Sequence, residues 1–191
     1  GTPNTNIRSV MQRNATPEKL TEVTAHNLAA LEKMIDYNRK NNIQLFRISS
    51  DLIPFGSSPV NALPWWDIHA EAFQHIGATI RKSGMRVSFH PGQYTVLNSP
   101  DEDVVARAIL DLAYHAKMLE CLGVDNQHKI VLHVGGIYGD KKEALQRFEL
   151  NFRRLPEAVQ NRLIIENDDR LYNIEEVLEL AHRLQIPAVY D

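Results

Sequence analysis

Two histidines and two carboxylates occupy comparable places in four successive apolar runs. MRVSFH ends at His90, KIVLHV carries His133 one residue before its end, RLIIEN carries Glu166 one residue before its end, and PAVYD ends at Asp191. Imidazole suits zinc, iron or manganese, and carboxylate favours harder ions such as manganese. A lone histidine at such a place is commonly structural. Four residues of this type in four successive runs are harder to explain that way. Burying two carboxylates without cations or donors costs several kcal/mol each.

The elements that must position these residues follow from periodicity. Thr16-Pro17-Glu18-Lys19 reads as a helix start, with a threonine cap and proline at the first position. Leu20, Thr24, Leu28, Leu31 and Ile35 follow at helical spacing to about Lys40. LFRIS (45–49) then reads as a strand. Further helices are expected over Asp67–Ser83, from Pro100-Asp101 to Gly123, over Lys141–Arg154, and from Asn173 to Leu184. The strands 85–90, 129–134, 162–167 and 187–191 lie between and after them. Five strands separated by helices predict right-handed crossovers and a parallel α/β sheet. Within each run Ser88, Val131, Ile164 or Val189 shares the face of the ligand-type residue. The opposite face is apolar and suits the helices. In such architectures the C-terminal strand ends form the rim of the active site.

The loops after these strands add polar and glycine-rich chemistry. Gln93 and Tyr94 in HPGQY could hydrogen-bond and stack on bases; an ordinary turn with a packed tyrosine is the plainer alternative. Gly135-Gly136-Ile137-Tyr138-Gly139 would allow close backbone approach by a phosphate, with Lys141 and Lys142 adding charge. Asn167-Asp168-Asp169-Arg170 would supply donors behind the ligands, a phosphate contact through Arg170, or a helix-entry turn. Trp65 and Trp66 lie in the long loop 51–66 and read as core packing or as a surface for a partner. His26, His69, His75, His115, His128 and His182 fall on helices or in a turn, and none joins the set.

Composition sets the bounds. The 191 residues are 43% hydrophobic and 24% charged, enough for one sizeable core. The formal net charge of −3 argues against indiscriminate nucleic-acid binding while allowing a local basic track. The single cysteine, Cys121, excludes an intramolecular disulfide, fits a reducing cytoplasm and reads as an unreactive thiol. No run approaches the roughly 18 apolar residues of a membrane span. The N-terminal residues have no apolar signal-peptide core.

HPGQY at 90–94, LHVGGIYG at 132–139 and ENDDRL at 166–171, in that order, resemble the UV damage endonuclease family. LFRISSDLIPFGSSP at 45–59 and the final VYD resemble it too, so the likeness runs from about residue 17 to the end. The resemblance implies a (β/α)8 TIM-barrel type with a DNA groove across its C-terminal face. It implies incision immediately 5′ of a UV photoproduct in double-stranded DNA, leaving a 3′-hydroxyl and a 5′-phosphate. The implied cofactor is a cluster of two or three divalent ions, manganese foremost. The family's metal ligands fall on His90, His133, Glu166 and Asp191, with His133, Glu166 and Asp191 as the catalytic members. Its lesion-probing pair falls on Gln93 and Tyr94, and Arg170 is the further DNA contact. A cytoplasmic location is implied, or a nuclear one in a eukaryote.

The chain departs from the family in places. A histidine that other members carry after LFRI falls on Asp51. The family opens with a strand bearing a Gly-Tyr pair and continues past Asp191 with further ligands, whereas a full barrel takes about 250 residues. The expectation is an irregular segment 1–16 and a partial barrel catalytic domain 17–191. Six strands or fewer cannot close an eight-stranded barrel, so isolated folding would call on an oligomer or a partner edge. Rival readings are an abasic-site endonuclease, a sugar isomerase, or a non-catalytic module that binds damaged DNA.

Overall fold

The computed structural model describes residues 4–191. Helices and strands alternate: α1 (Pro17–Lys40), β1 (Leu45–Ile48), α2 (Trp65–Ile68), α3 (Ala70–Ser83), β2 (Arg86–Phe89), α4 (Glu102–Leu122), β3 (Ile130–His133), α5 (Lys141–Phe152), α6 (Glu157–Gln160), β4 (Leu163–Glu166), α7 (Ile174–Leu184) and β5 (Ala188–Val189). The chain forms two compact units. One runs to Phe89 and includes Lys117–His128; the other comprises His90–Ala116 and Lys129–Asp191.

In the first unit, Thr16 caps α1 by accepting a hydrogen bond from the Lys19 amide at 3.1 Å, with Pro17 at the first position. The expected stripe Leu20, Thr24, Leu28, Leu31 and Ile35 is buried, each large apolar member contributing about 1.5–3 kcal/mol. Buried Asn27 ties the preceding segment to α1. Its Oδ1 accepts from the Arg8 amide at 2.7 Å and its Nδ2 donates to the Arg8 carbonyl at 2.9 Å. Residues 4–16 otherwise hold one short 3-10 turn, Gln12–Asn14; residues 1–3 of the segment expected over 1–16 lie outside the described residues. β1 and β2 pair in parallel, Leu45 opposite Arg86 and Ile48 opposite Phe89.

The helix expected over 67–83 is two helices, broken at His69 (φ −109°, ψ 18°). α2 starts directly after Pro64, which places Trp65 in the core at 5.9 Å from the Phe73 ring. Trp66 stays partly open, with Lys117 Nζ 5.4 Å from its ring centre. The packing reading therefore holds for Trp65. Gly84 ends α3 in the left-handed conformation (φ 69°) that a side chain would disfavour.

In the second unit β3, β4 and β5 are parallel. Ile130 lies opposite Leu163, Leu132 opposite Ile165, His133 opposite Glu166, and Glu166 opposite Val189. Ile130, Leu132, Leu163 and Ile165 are almost wholly buried, as their apolar face requires. His133 and Glu166 share the other face because register partners in a sheet point the same way. α5 is capped by Asp140, which accepts from the Glu143 amide. α7 opens with a complete capping box between Asn173 and Glu176. The sequence reading missed α6, whose single turn is too short to show a periodicity.

Candidate metal centre

His90 follows β2 directly, His133 is the last residue of β3, and Glu166 is the last residue of β4. Their ligand atoms all lie within 4.8 Å of one another. His90 Nε2 is 2.8 Å and His133 Nε2 3.1 Å from the same oxygen, Glu166 Oε1. Glu166 is 5% exposed, and among the described residues its ion-pair partners are these two imidazoles.

The hydrogen bonds test whether this set fits a metal. His90 Nδ1 lies 3.1 Å from the Pro91 carbonyl, an acceptor, so Nδ1 carries the proton that the contact requires. In the neutral ring Nε2 then presents a lone pair. At 2.8 Å from a carboxylate oxygen, that lone pair needs a cation or a second proton between them. A ligating histidine commonly donates its other nitrogen to a carbonyl in this way, which fixes tautomer and ring orientation. Among the described residues the buried His133 Nδ1 has no hydrogen-bond partner, so what meets Nε2 decides where its proton sits. Two imidazoles and a carboxylate fit a divalent transition ion.

Asp191 is placed differently. It is exposed, and its backbone is held by Asn167: its amide donates to Asn167 Oδ1 at 3.0 Å and its carbonyl accepts from Asn167 Nδ2 at 3.2 Å. The structure thus gathers three of the four ligand-type residues, and Asn167 is what holds the fourth at the end of β5.

Gln93 and Tyr94 are both exposed, Tyr94 at 84%. The packed-tyrosine alternative is thereby corrected: the ring stands in solvent. The loop beneath it is anchored. Thr95 is buried, its hydroxyl donates to Asp111 Oδ2 at 2.6 Å, and its amide donates to the Gly92 carbonyl at 3.0 Å.

The other loops are ordered by contacts of their own. Lys141 is paired with Glu176 at 2.8 Å and lies over the Tyr172 ring, so its charge is spent within the unit. The Gly136 carbonyl accepts from Asn98 Nδ2 at 2.7 Å and from the Tyr172 hydroxyl at 2.9 Å. Asp168 orders its own turn by accepting from the amides of Arg170, Leu171 and Tyr172, which leaves the Arg170 side chain exposed. Sequence reasoning missed Asn98, Asp111 and Tyr172. The one available signal was that polar residues sit beside apolar ones in LNSP and RLYN.

Parallel strands alternating with helices define a TIM-barrel-like α/β protein, and the imidazoles and carboxylate gathered at its strand ends fit a divalent metal. The model of the UV-endonuclease UvdE family matches residues 3–191, and the chain belongs to that family. It is 42% identical to the UV DNA damage endonuclease of Clostridium perfringens (strain 13 / Type A), over 96% of this chain and 45% of that protein. It is 38% identical to the UV DNA damage endonuclease of Bacillus velezensis, over 95% of this chain and 57% of that protein. The chain thus spans about half the length of these relatives. The crystal structure of SacUVDE superposes with a TM-score of 0.93 at 38% identity, covering 96% of this chain and 63% of that one. A D-psicose 3-epimerase from Clostridium cellulolyticum H10 superposes at 0.57 with 17% identity, a likeness of fold alone.

Proposed function

We propose that the protein is a DNA repair endonuclease that hydrolyses the phosphodiester immediately 5′ of a UV photoproduct in double-stranded DNA. The products are a 3′-hydroxyl and a 5′-phosphate. The observation that carries this reading is the convergence of His90, His133 and the buried Glu166 on one oxygen, in a chain of the UV-endonuclease family. His90, His133, Glu166 and Asp191 would hold divalent ions, manganese foremost. Bound there, such ions polarise the phosphodiester and lower the pKa of an attacking water.

The chain's own residues do the rest. His90, oriented by the Pro91 carbonyl, and His133 keep their nitrogens aimed at the Glu166 carboxylate. Tyr94 offers a solvent-exposed ring for stacking, and Gln93 beside it offers both a donor and an acceptor to an unpaired base. Inserting such a pair unstacks DNA at a cost of a few kcal/mol, less where a lesion has already weakened the stack. Arg170, exposed in its Asp168-ordered turn, would meet a phosphate. The reaction belongs in the cytoplasm, or the nucleus of a eukaryote.

The test is nicking of supercoiled plasmid with Mn2+. UV-irradiated plasmid should be cut, unirradiated plasmid spared, and Glu166→Gln should abolish cutting. Equal cutting of abasic and UV-damaged plasmid would favour an abasic-site enzyme. Lesion-selective binding with no metal-dependent nicking would leave a binding module.

A further inference from the structure

Three loops leave the three strands whose ends supply His90, His133 and Glu166, and one carbonyl fastens them together. Gly136 belongs to the loop after β3. Its carbonyl oxygen has two lone pairs, and both are taken. Asn98, from the loop after His90, donates through Nδ2 at 2.7 Å; Tyr172, from the loop after Glu166, donates through its hydroxyl at 2.9 Å. Asn98 is 0% and Tyr172 1% exposed.

Each end of this junction is itself fixed. Arg147 of α5 donates from Nε to the Asn98 carbonyl at 2.8 Å, and Asn151 donates to the Leu97 carbonyl at 2.7 Å. The Asp168 amide donates to the Tyr172 carbonyl at 3.2 Å, closing the third loop two residues after Glu166. Gly135 has φ +112°, and a Cβ there would come within 2.2 Å of Asn98 Oδ1, so the approach requires glycine. Burial pushes the Tyr172 phenol up, Asn98 acting against it, so the hydroxyl keeps its proton to donate.

We propose that Asn98 and Tyr172 are positioning residues for the His90–His133–Glu166 centre. Through the Gly136 carbonyl they set the separation of the three ligand atoms before an ion arrives. Loops left unfastened would have to be ordered at each binding event, at a cost in affinity. The inference rests on the metal reading of the site.

The experiment is Mn2+ binding to this chain without DNA, followed by electron paramagnetic resonance, with Co2+ absorption reporting ligand geometry. Tyr172→Phe removes one oxygen and keeps the ring. It should weaken Mn2+ binding roughly 3- to 10-fold, the scale of one neutral hydrogen bond, and alter the Co2+ bands while the circular dichroism is retained. Asn98→Ala should weaken binding too, and the double variant by less than the product of the two, because both act on one carbonyl. If Asn98→Ala does not fold, Tyr172→Phe decides alone. A folded Tyr172→Phe with Mn2+ affinity within twofold and unchanged Co2+ bands overturns the proposal. His90→Ala separates the two levels. If it leaves Mn2+ binding intact, the metal reading itself is wrong and the positioning role falls with it. If it weakens binding while Tyr172→Phe does not, the positioning role alone is wrong.

Discussion

At the residue scale, the informative contrast lies between Glu166 and Tyr94. A carboxylate at 5% exposure goes against the ordinary burial preference, while a phenol at 84% exposure leaves a whole aromatic face open to solvent. Under the proposed function a cation would offset the burial of the carboxylate and a stacked base would cover the exposed ring. Tyr94→Ala should therefore leave stability unchanged while weakening binding to a UV-lesion duplex by about 1–3 kcal/mol, the worth of one aromatic–base stack. Fluorescence anisotropy with damaged and undamaged duplexes checks this. Equal loss on both would show that the ring does not probe the lesion. Cys121 makes the opposite case: burial pushes its thiol up to about 11, so it stays protonated and inert at neutral pH, as its place in the sequence suggested.

At the element scale, what the strands carry was legible and what the loops do was not. A period of two puts His133 beside Glu166 and Ile130 beside Leu163 wherever two such strands pair in this register. The pattern in the sequence therefore already encoded the two faces. Asn98, Gly136 and Tyr172 meet across about 36–38 residues of chain, and no local periodicity marks such a meeting. The GG loop was legible as a place of close approach, and within the chain the group that approaches it is Asn98. β5 is shorter than PAVYD suggested, two residues long, because past Val189 the backbone is held by the Asn167 side chain. α7 was legible from its cap. Its capping box predicts that Asn173→Ala lowers stability by about 1 kcal/mol, a drop of about 2–4 °C in Tm for a chain of this size. Asn173→Asp should restore most of that loss, since aspartate caps equally well. A thermal melt of the two variants checks it, and an unchanged Tm for Asn173→Ala would show that tertiary packing alone holds the helix start.

At the scale of the whole molecule, the shifted ionisable groups give stability a direction with pH. Burial holds His115 below the ordinary histidine value, against the opposing pull of Asp111, and burial lowers His69 likewise. His115 is 1% exposed and its Nδ1 lies 2.6 Å from the Asp111 carbonyl. The unfolded chain therefore binds protons at these sites more readily than the folded one, so folding is favoured above the unfolded value of about 6.5. That advantage is lost progressively as pH falls from there through the depressed folded values. Glu176 acts in the same sense at lower pH. The Lys141 hydrogen bond lowers its carboxyl, and its contribution is lost as pH falls below the unfolded carboxylate value of about 4.3. The protein should thus unfold at lower urea between pH 7.5 and 5.5, and His115→Gln should flatten that slope even if it lowers stability overall. A slope unchanged in His115→Gln would assign the pH dependence to other groups. The Thr95–Asp111 bond roots the HPGQY loop, and Asp111 also faces His115. The same titration should therefore loosen the HPGQY loop at a pH where β3 and β4 still stand. Hydrogen exchange at the Thr95 amide, rising before that at Leu132 as pH is lowered, is the expected sign.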